Sequence, residues 1–247
     1  MRFLNLMKQD LRNLLTNPTA LLFCTIYPIF LVLLFGFLFS DLYKSGGVTS
    51  YDFYGVTMLF YLSTQAATIT PIAFMEERTK KANMRIAYAP ISRVSIYLSK
   101  LITTFLFIEI AFLVQISILN ITGLVNYGGE NFGAIVLLLT LLLAFSVSLG
   151  GAVCSAIKSE DLSNKILGII INTLAIFSGV FFPIAELGQL AESISNLSPV
   201  KMIITTAFQI IYDSSFAEFA PTIIITLIST TVLIYIIHKK YKIENYI

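Results

Sequence analysis

The chain alternates long apolar runs with short polar breaks. The runs extend over residues 19–40, 53–75, 101–121, 132–157, 166–182 and 222–238. Each is near or above the ~18 apolar residues expected of a membrane-crossing helix, so six spans in an all-α integral membrane fold are expected. Residues 1–17 follow a different pattern. Phe3, Met7, Leu11 and Leu14 recur at helical spacing, while Asn5, Lys8, Gln9 and Arg12 fall on other faces. Such a helix lies flat at the membrane surface with its basic side among the headgroups. A cleavable leader would need a small-residue cleavage site after its apolar part, and this stretch has none. Asn17-Pro18 ends the helix, because a residue before proline avoids the helical region.

Interruptions inside the runs carry further expectations. Pro28 should kink span 1. The second half of span 2 holds Ser63, Thr64, Gln65, Thr68 and Thr70 before Pro71. These groups either bond to backbone that the proline frees, or face a cavity or partner helix. Ser146, Ser148, Gly150, Gly151, Ala152 and Ser155 make the end of span 4 small-sided, which predicts close helix packing there. Residues 183–221 are too apolar for an ordinary loop and too polar to span. Their best apolar run, Met202 to Tyr212, is about half of the ~20 residues a span needs. Two short re-entrant helices, dipping into the outer leaflet and parting near Ser198-Pro199, are expected.

Composition and charge sharpen this picture. The 247 residues are 57% hydrophobic and 12% charged, against about 25% charged in soluble domains. Too little polar surface exists to cover a water-soluble globule. With the N-terminus inside, fourteen of the sixteen Lys and Arg residues fall on inner segments, and only Lys44 and Lys201 fall outside. Both termini are therefore expected in the cytoplasm, by the positive-inside rule. Six of the basic residues lie in the inner loop 76–100. Met84, Ile86 and Tyr88 interleave apolar groups there that a plain solvated loop would not need. The absence of Trp, with many Ile, Phe, Asn and Lys, suggests an AT-rich bacterial source and hence the bacterial cytoplasmic membrane.

Chemistry performed by the chain itself is not expected. The sequence has no phosphate-binding GxxxxGK[ST], no HExxH, no GxSxG and no clustered Cys or His ligands. No cofactor, metal or nucleic acid is expected on it. Cys24 and Cys154 fall inside apolar runs and read as packing residues; His238 reads as an interfacial cap. Glu109, near the middle of span 3, is the one intramembrane charge. It is either a proton-coupled site or a hydrogen-bonding group buried between helices.

The order of these features resembles the permease subunits of type-2 ABC exporters. The loop after span 2 begins Glu76-Glu77-Arg78 and continues to Ala89-Pro90-Ile91-Ser92-Arg93 and Lys100. Span 5 exits through Ser178-Gly179-Val180-Phe181-Phe182-Pro183-Ile184, and Leu197-Ser198-Pro199 precedes the last span. Thr79-Lys80-Lys81 stands where the family often has a glycine-threonine pair, and Ser99 stands where a glycine is common. The resemblance implies one transmembrane domain over 1–247, paired with a second permease copy, identical or paralogous. Two copies of a cytoplasmic ABC ATPase, carrying ATP and Mg, would dock on the loop 76–100. Met84, Arg85 and Tyr88 would fill the ATPase groove, with Glu76, Glu77 and Arg78 holding the base of the loop. Spans 1, 2 and 5 would line the cavity, where Phe35, Tyr61, Gln65 and Phe182 are candidate contacts. Short outer loops suit amphipathic cargo: a drug, a peptide or toxin, or a lipid. The other readings are a proton-coupled carrier using Glu109 and a non-transporting membrane scaffold.

Overall fold

A computed structural model describes residues 2–43, 48–75, 91–178 and 198–242. Among them every regular element is helical: α1 (Arg2–Leu15), α2 (Pro18–Cys24), α3 (Ile26–Leu38), α4 (Ser50–Gln65), α5 (Ile69–Met75), α6 (Arg93–Ile121), α7 (Phe132–Ile157), α8 (Glu160–Phe177), α9 (Pro199–Asp213) and α10 (Phe219–Lys240), with short 3-10 turns at Ser40–Tyr43, Ala66–Thr68 and Gly129–Asn131.

The sequence explains where these helices break. Asn17 caps α2 by accepting the Ala20 N–H at 3.0 Å, and Pro18 takes the first helical position, where its missing N–H costs nothing. Span 1 is split at Thr25 into α2 and α3. Pro28 has no N–H to give to the Cys24 carbonyl four residues back. Span 2 tightens into the 3-10 turn at 66–68 for the same reason, since Pro71 leaves the Ala67 carbonyl without its helical partner. Ser63 and Thr64 bond back to Leu59 O and Phe60 O just before that turn.

Among the described residues, five segments are long and apolar enough to cross a membrane: Pro18–Leu38, Ser50–Met75, Arg93–Ile121, Gly129–Ile157 and Phe219–Lys240. The helix at the fifth expected span, α8, starts at Glu160 rather than residue 166 and includes Asp161 and Lys165. Its described length is therefore more polar than the apolar run alone, and residues 179–182 lie outside the described residues. The helix of span 3 begins at Arg93, eight residues before its apolar run, so the basic loop is shorter than 76–100. α9 starts on Ser198-Pro199 as anticipated. Its fifteen residues cover about 22 Å, less than the ~30 Å core of a bilayer. Residues 183–197, the rest of the expected re-entrant stretch, lie outside the described residues.

α7 is the central helix, packed on α4, α5, α6, α8, α9 and α10. Its small-sided end is where neighbours come closest. A Cβ on Gly150 would stand 2.1 Å from Ala67 O, and one on Gly151 would stand 2.9 Å from both Ile237 and Leu101. At the opposite end, Asp52 closes a capping box with Thr49 and also accepts the Asn126 N–H at 2.7 Å. Tyr127 is fully buried beside it and donates to Gly55 O. Burial, with the Asp52 charge second, pushes the Tyr127 phenol well above its ordinary pKa. The loop between α6 and α7 is thereby pinned over span 2.

Candidate functional site

Two groups of polar side chains stand out against the apolar bundle. The first lies where α1, the end of α5 and the start of α6 meet. Lys100 Nζ is 3.3 Å from Asp10 Oδ1 and donates to Ala73 O at 2.9 Å; Ser99 Oγ donates to Asp10 Oδ2 at 2.7 Å. Lys100 and Asp10 are only 3% and 7% exposed, so this is a buried ion pair rather than a surface one. Phe74, Tyr97 and Tyr241 pack edge-on and tilted beside it, and Tyr97 OH lies 3.1 Å from His238 Nδ1. The end of α10 therefore joins the same cluster. The protein-facing stripe of α1 is Leu6, Asp10 and Leu14, all buried, while Leu4, Leu11 and Leu15 are exposed. Of the apolar stripe read from the sequence, Leu14 is buried, Phe3 and Met7 are half-buried and Leu11 is exposed. The helix has one side for the protein and another for lipid.

The second group lies within spans 2 and 5. Gln65 Nε2 donates to Tyr61 OH at 2.7 Å, and both reach Asn172 Oδ1 on α8, at 3.3 and 3.1 Å. Tyr61 and Gln65 are half-buried one turn apart on α4, and Asn172 is exposed. An exposed amide on an otherwise apolar helix surface is costly against lipid tails, and is accommodated against a water-filled cavity or another helix. Tyr61 and Gln65 are thus brought together. Phe35 is not with them: it stacks with Phe39 and Tyr54, at 5.9 and 5.5 Å between centroids, in a separate group of rings. Phe182 lies outside the described residues, as do Glu76, Glu77, Arg78, Met84, Arg85 and Tyr88.

Glu109 on α6 is 7% exposed. Thr140 Oγ1 on α7 donates to its Oε1 at 2.6 Å, and Oε2 has no hydrogen-bond partner. Among the described residues, no Lys, Arg or His forms an ion pair with it. Among the described residues, no group of three or more His, Cys, Asp or Glu is placed to hold a metal ion.

Asp10, Asn172 and Gln115 were not singled out by pattern. Gln115 Nε2 on α6 donates to Cys24 O, the carbonyl that Pro28 strands. A signal for it existed, because a buried proline kink demands a donor and Gln115 is the amide that lies well inside span 3, Asn120 standing at its end. Asp10 had a weaker signal, an acid midway between Leu6 and Leu14 at four-residue spacing.

An all-helical bundle with five membrane-length segments defines a multi-pass membrane protein. The chain belongs to the ABC-2 type transporter family, whose model matches residues 1–212. It is accordingly a membrane-embedded permease subunit of an ABC transporter. No curated protein matches the chain.

Proposed function

We infer that this protein is the membrane half of an ATP-driven exporter of amphipathic cargo, worked by a separate cytoplasmic ATPase. The observation that carries the reading is the family match over residues 1–212. Two permeases and two ATPases form the working unit. ATP and Mg sit on the ATPases, since this sequence has no phosphate-binding loop. The chain crosses the bacterial cytoplasmic membrane six times with both termini inside, α8 and residues 179–182 supplying span 5, and the stretch 183–221 re-enters from outside. Glu76, Glu77, Arg78, Met84, Arg85 and Tyr88 form the docking surface for the ATPase. Gln65, Tyr61 and Asn172 line the cargo path between the two permeases. Their support is the unusual exposure of a hydrogen-bonded amide cluster within apolar spans. Phe35 and Phe182 are further contacts along the path.

Co-expression with the ABC ATPase encoded next to this chain tests the reading. The expected product is a complex of two permeases and two ATPases that hydrolyses ATP in nanodiscs. A permease that purifies alone and moves a solute down a proton gradient contradicts it. Glu109 separates the two outcomes. Glu109→Gln keeps a hydrogen-bonding group opposite Thr140, so stability should change by only about 1 kcal/mol, and ATP-driven activity should stay near the wild-type rate. Loss of transport in that variant, with folding intact, is the result a proton-coupled carrier requires.

A further inference from the structure

We propose that Asp10, Ser99 and Lys100 form the joint that locks the interfacial helix α1 to both ends of the ATPase-facing loop, so that a push on the loop moves α1 and the span behind it as one body. The inference rests on the proposed coupling to an ATPase. Ala73 lies in the last turn of α5, three residues before Glu76; Ser99 and Lys100 lie in the second turn of α6, just after the loop returns at Arg93. Lys100 Nζ bonds to the first side of the loop through Ala73 O and to α1 through Asp10, while its own helix supplies the second side. One ammonium therefore touches all three elements.

The chemistry argues against a role in stability alone. A buried ion pair rarely stabilises a fold beyond what an apolar pair would. What it supplies is register. An apolar contact between α1 and α6 tolerates sliding. A carboxylate using both oxygens, one on Ser99 and one on Lys100, fixes one height and one rotation. The hydroxyl of Ser99, at the position where the family commonly has glycine, completes that set. α1 runs through the Asn17 cap directly into span 1, so a movement imposed on α1 reaches the membrane core.

The test uses the complete permease–ATPase complex in nanodiscs, with a spin label on Leu4→Cys. Leu4 is 67% exposed on α1, and the native Cys24 and Cys154 are buried. Trapping with ATP and vanadate should change the distance between the two α1 labels in the otherwise wild-type complex. The informative variant is Asp10→Asn with Lys100→Met, which removes both charges and leaves neither unpaired. It should fold, hold the ATPase and hydrolyse ATP, yet lose the distance change. A merely structural pair predicts recovery of the change along with the folding, and that result overturns the joint. If the double variant does not fold, Ser99→Ala keeps both charges and decides: a reduced change is expected, and the full change overturns the proposal. A wild-type complex that shows no change also overturns it. A wild-type permease that binds no ATPase instead removes the reading beneath it.

Discussion

Replacing Gly150 by valine is expected to leave no folded protein in the membrane. An ideal Cβ at this position lies 2.1 Å from Ala67 O and 2.9 Å from Thr70 Cβ and Oγ1. The nearest atom is backbone, so no rotamer change relieves the clash. It is also the carbonyl that lacks an i+4 donor because of Pro71, and Gly150 lets it lie directly against α7. Thr70 adds a hydrogen bond from its hydroxyl to Val147 O at 3.2 Å. Span 2 and α7 would have to move apart, and α7 is the helix on which six others pack. Overpacking typically costs ~1–3 kcal/mol where side chains can yield; here they cannot, so the loss should exceed that range. Even Gly150→Ala should lower the melting temperature sharply. Gly133 and Gly168 are the controls, because an added Cβ meets nothing within 4 Å at either. Alanine there should be neutral or stabilising by up to about 1 kcal/mol. Monodisperse yield and thermal melting of the detergent-purified protein read all four variants.

Gln115→Leu is expected to be the next most damaging change, and Pro28→Ala should partly cure it. Cys24 and Gln115 are buried, at 0% and 3% exposure, and the Gln115 amide is the donor that satisfies Cys24 O. Leucine would leave that carbonyl unpaired in an apolar interior, which costs about 1–3 kcal/mol. Alanine at 28 restores the backbone N–H that the carbonyl would take in an unbroken helix. The double variant should therefore melt above Gln115→Leu alone. A double variant that melts no higher would show that Gln115 acts through packing, not through the stranded carbonyl.

The parts of the fold that were legible are those encoded locally. Apolar runs marked the five membrane-length helices, and the limits of α7 coincide with the run 132–157. Pro28 and Pro71 marked both helix breaks, and Ser198-Pro199 marked the start of α9. The small-sided end of span 4 marked the tightest packing. The illegible parts depend on what lies opposite. Asp10 and Lys100 are separated by 90 positions, so no periodicity pairs them, and Ser99 showed only as a departure from a pattern. Tyr61 and Gln65 were readable as polar residues in a span; Asn172, their partner, became visible only when α4 and α8 were side by side. Phe35, on α3, packs with Phe39 and Tyr54 rather than with Tyr61 or Gln65, a grouping that no linear spacing shows. Glu109 had no legible partner because Thr140, a small hydroxyl 31 positions away, is unremarkable in sequence.

The central claim is that the loop after span 2 is where a separate ATPase drives this protein. A photo-crosslinking amino acid at position 85, in cells co-expressing the ABC ATPase, tests it most directly, with position 44 as the outer control. The account predicts a crosslinked product containing the ATPase from position 85 and none from position 44. A product from 44, or none from 85 in cells where both proteins are present and folded, would contradict it.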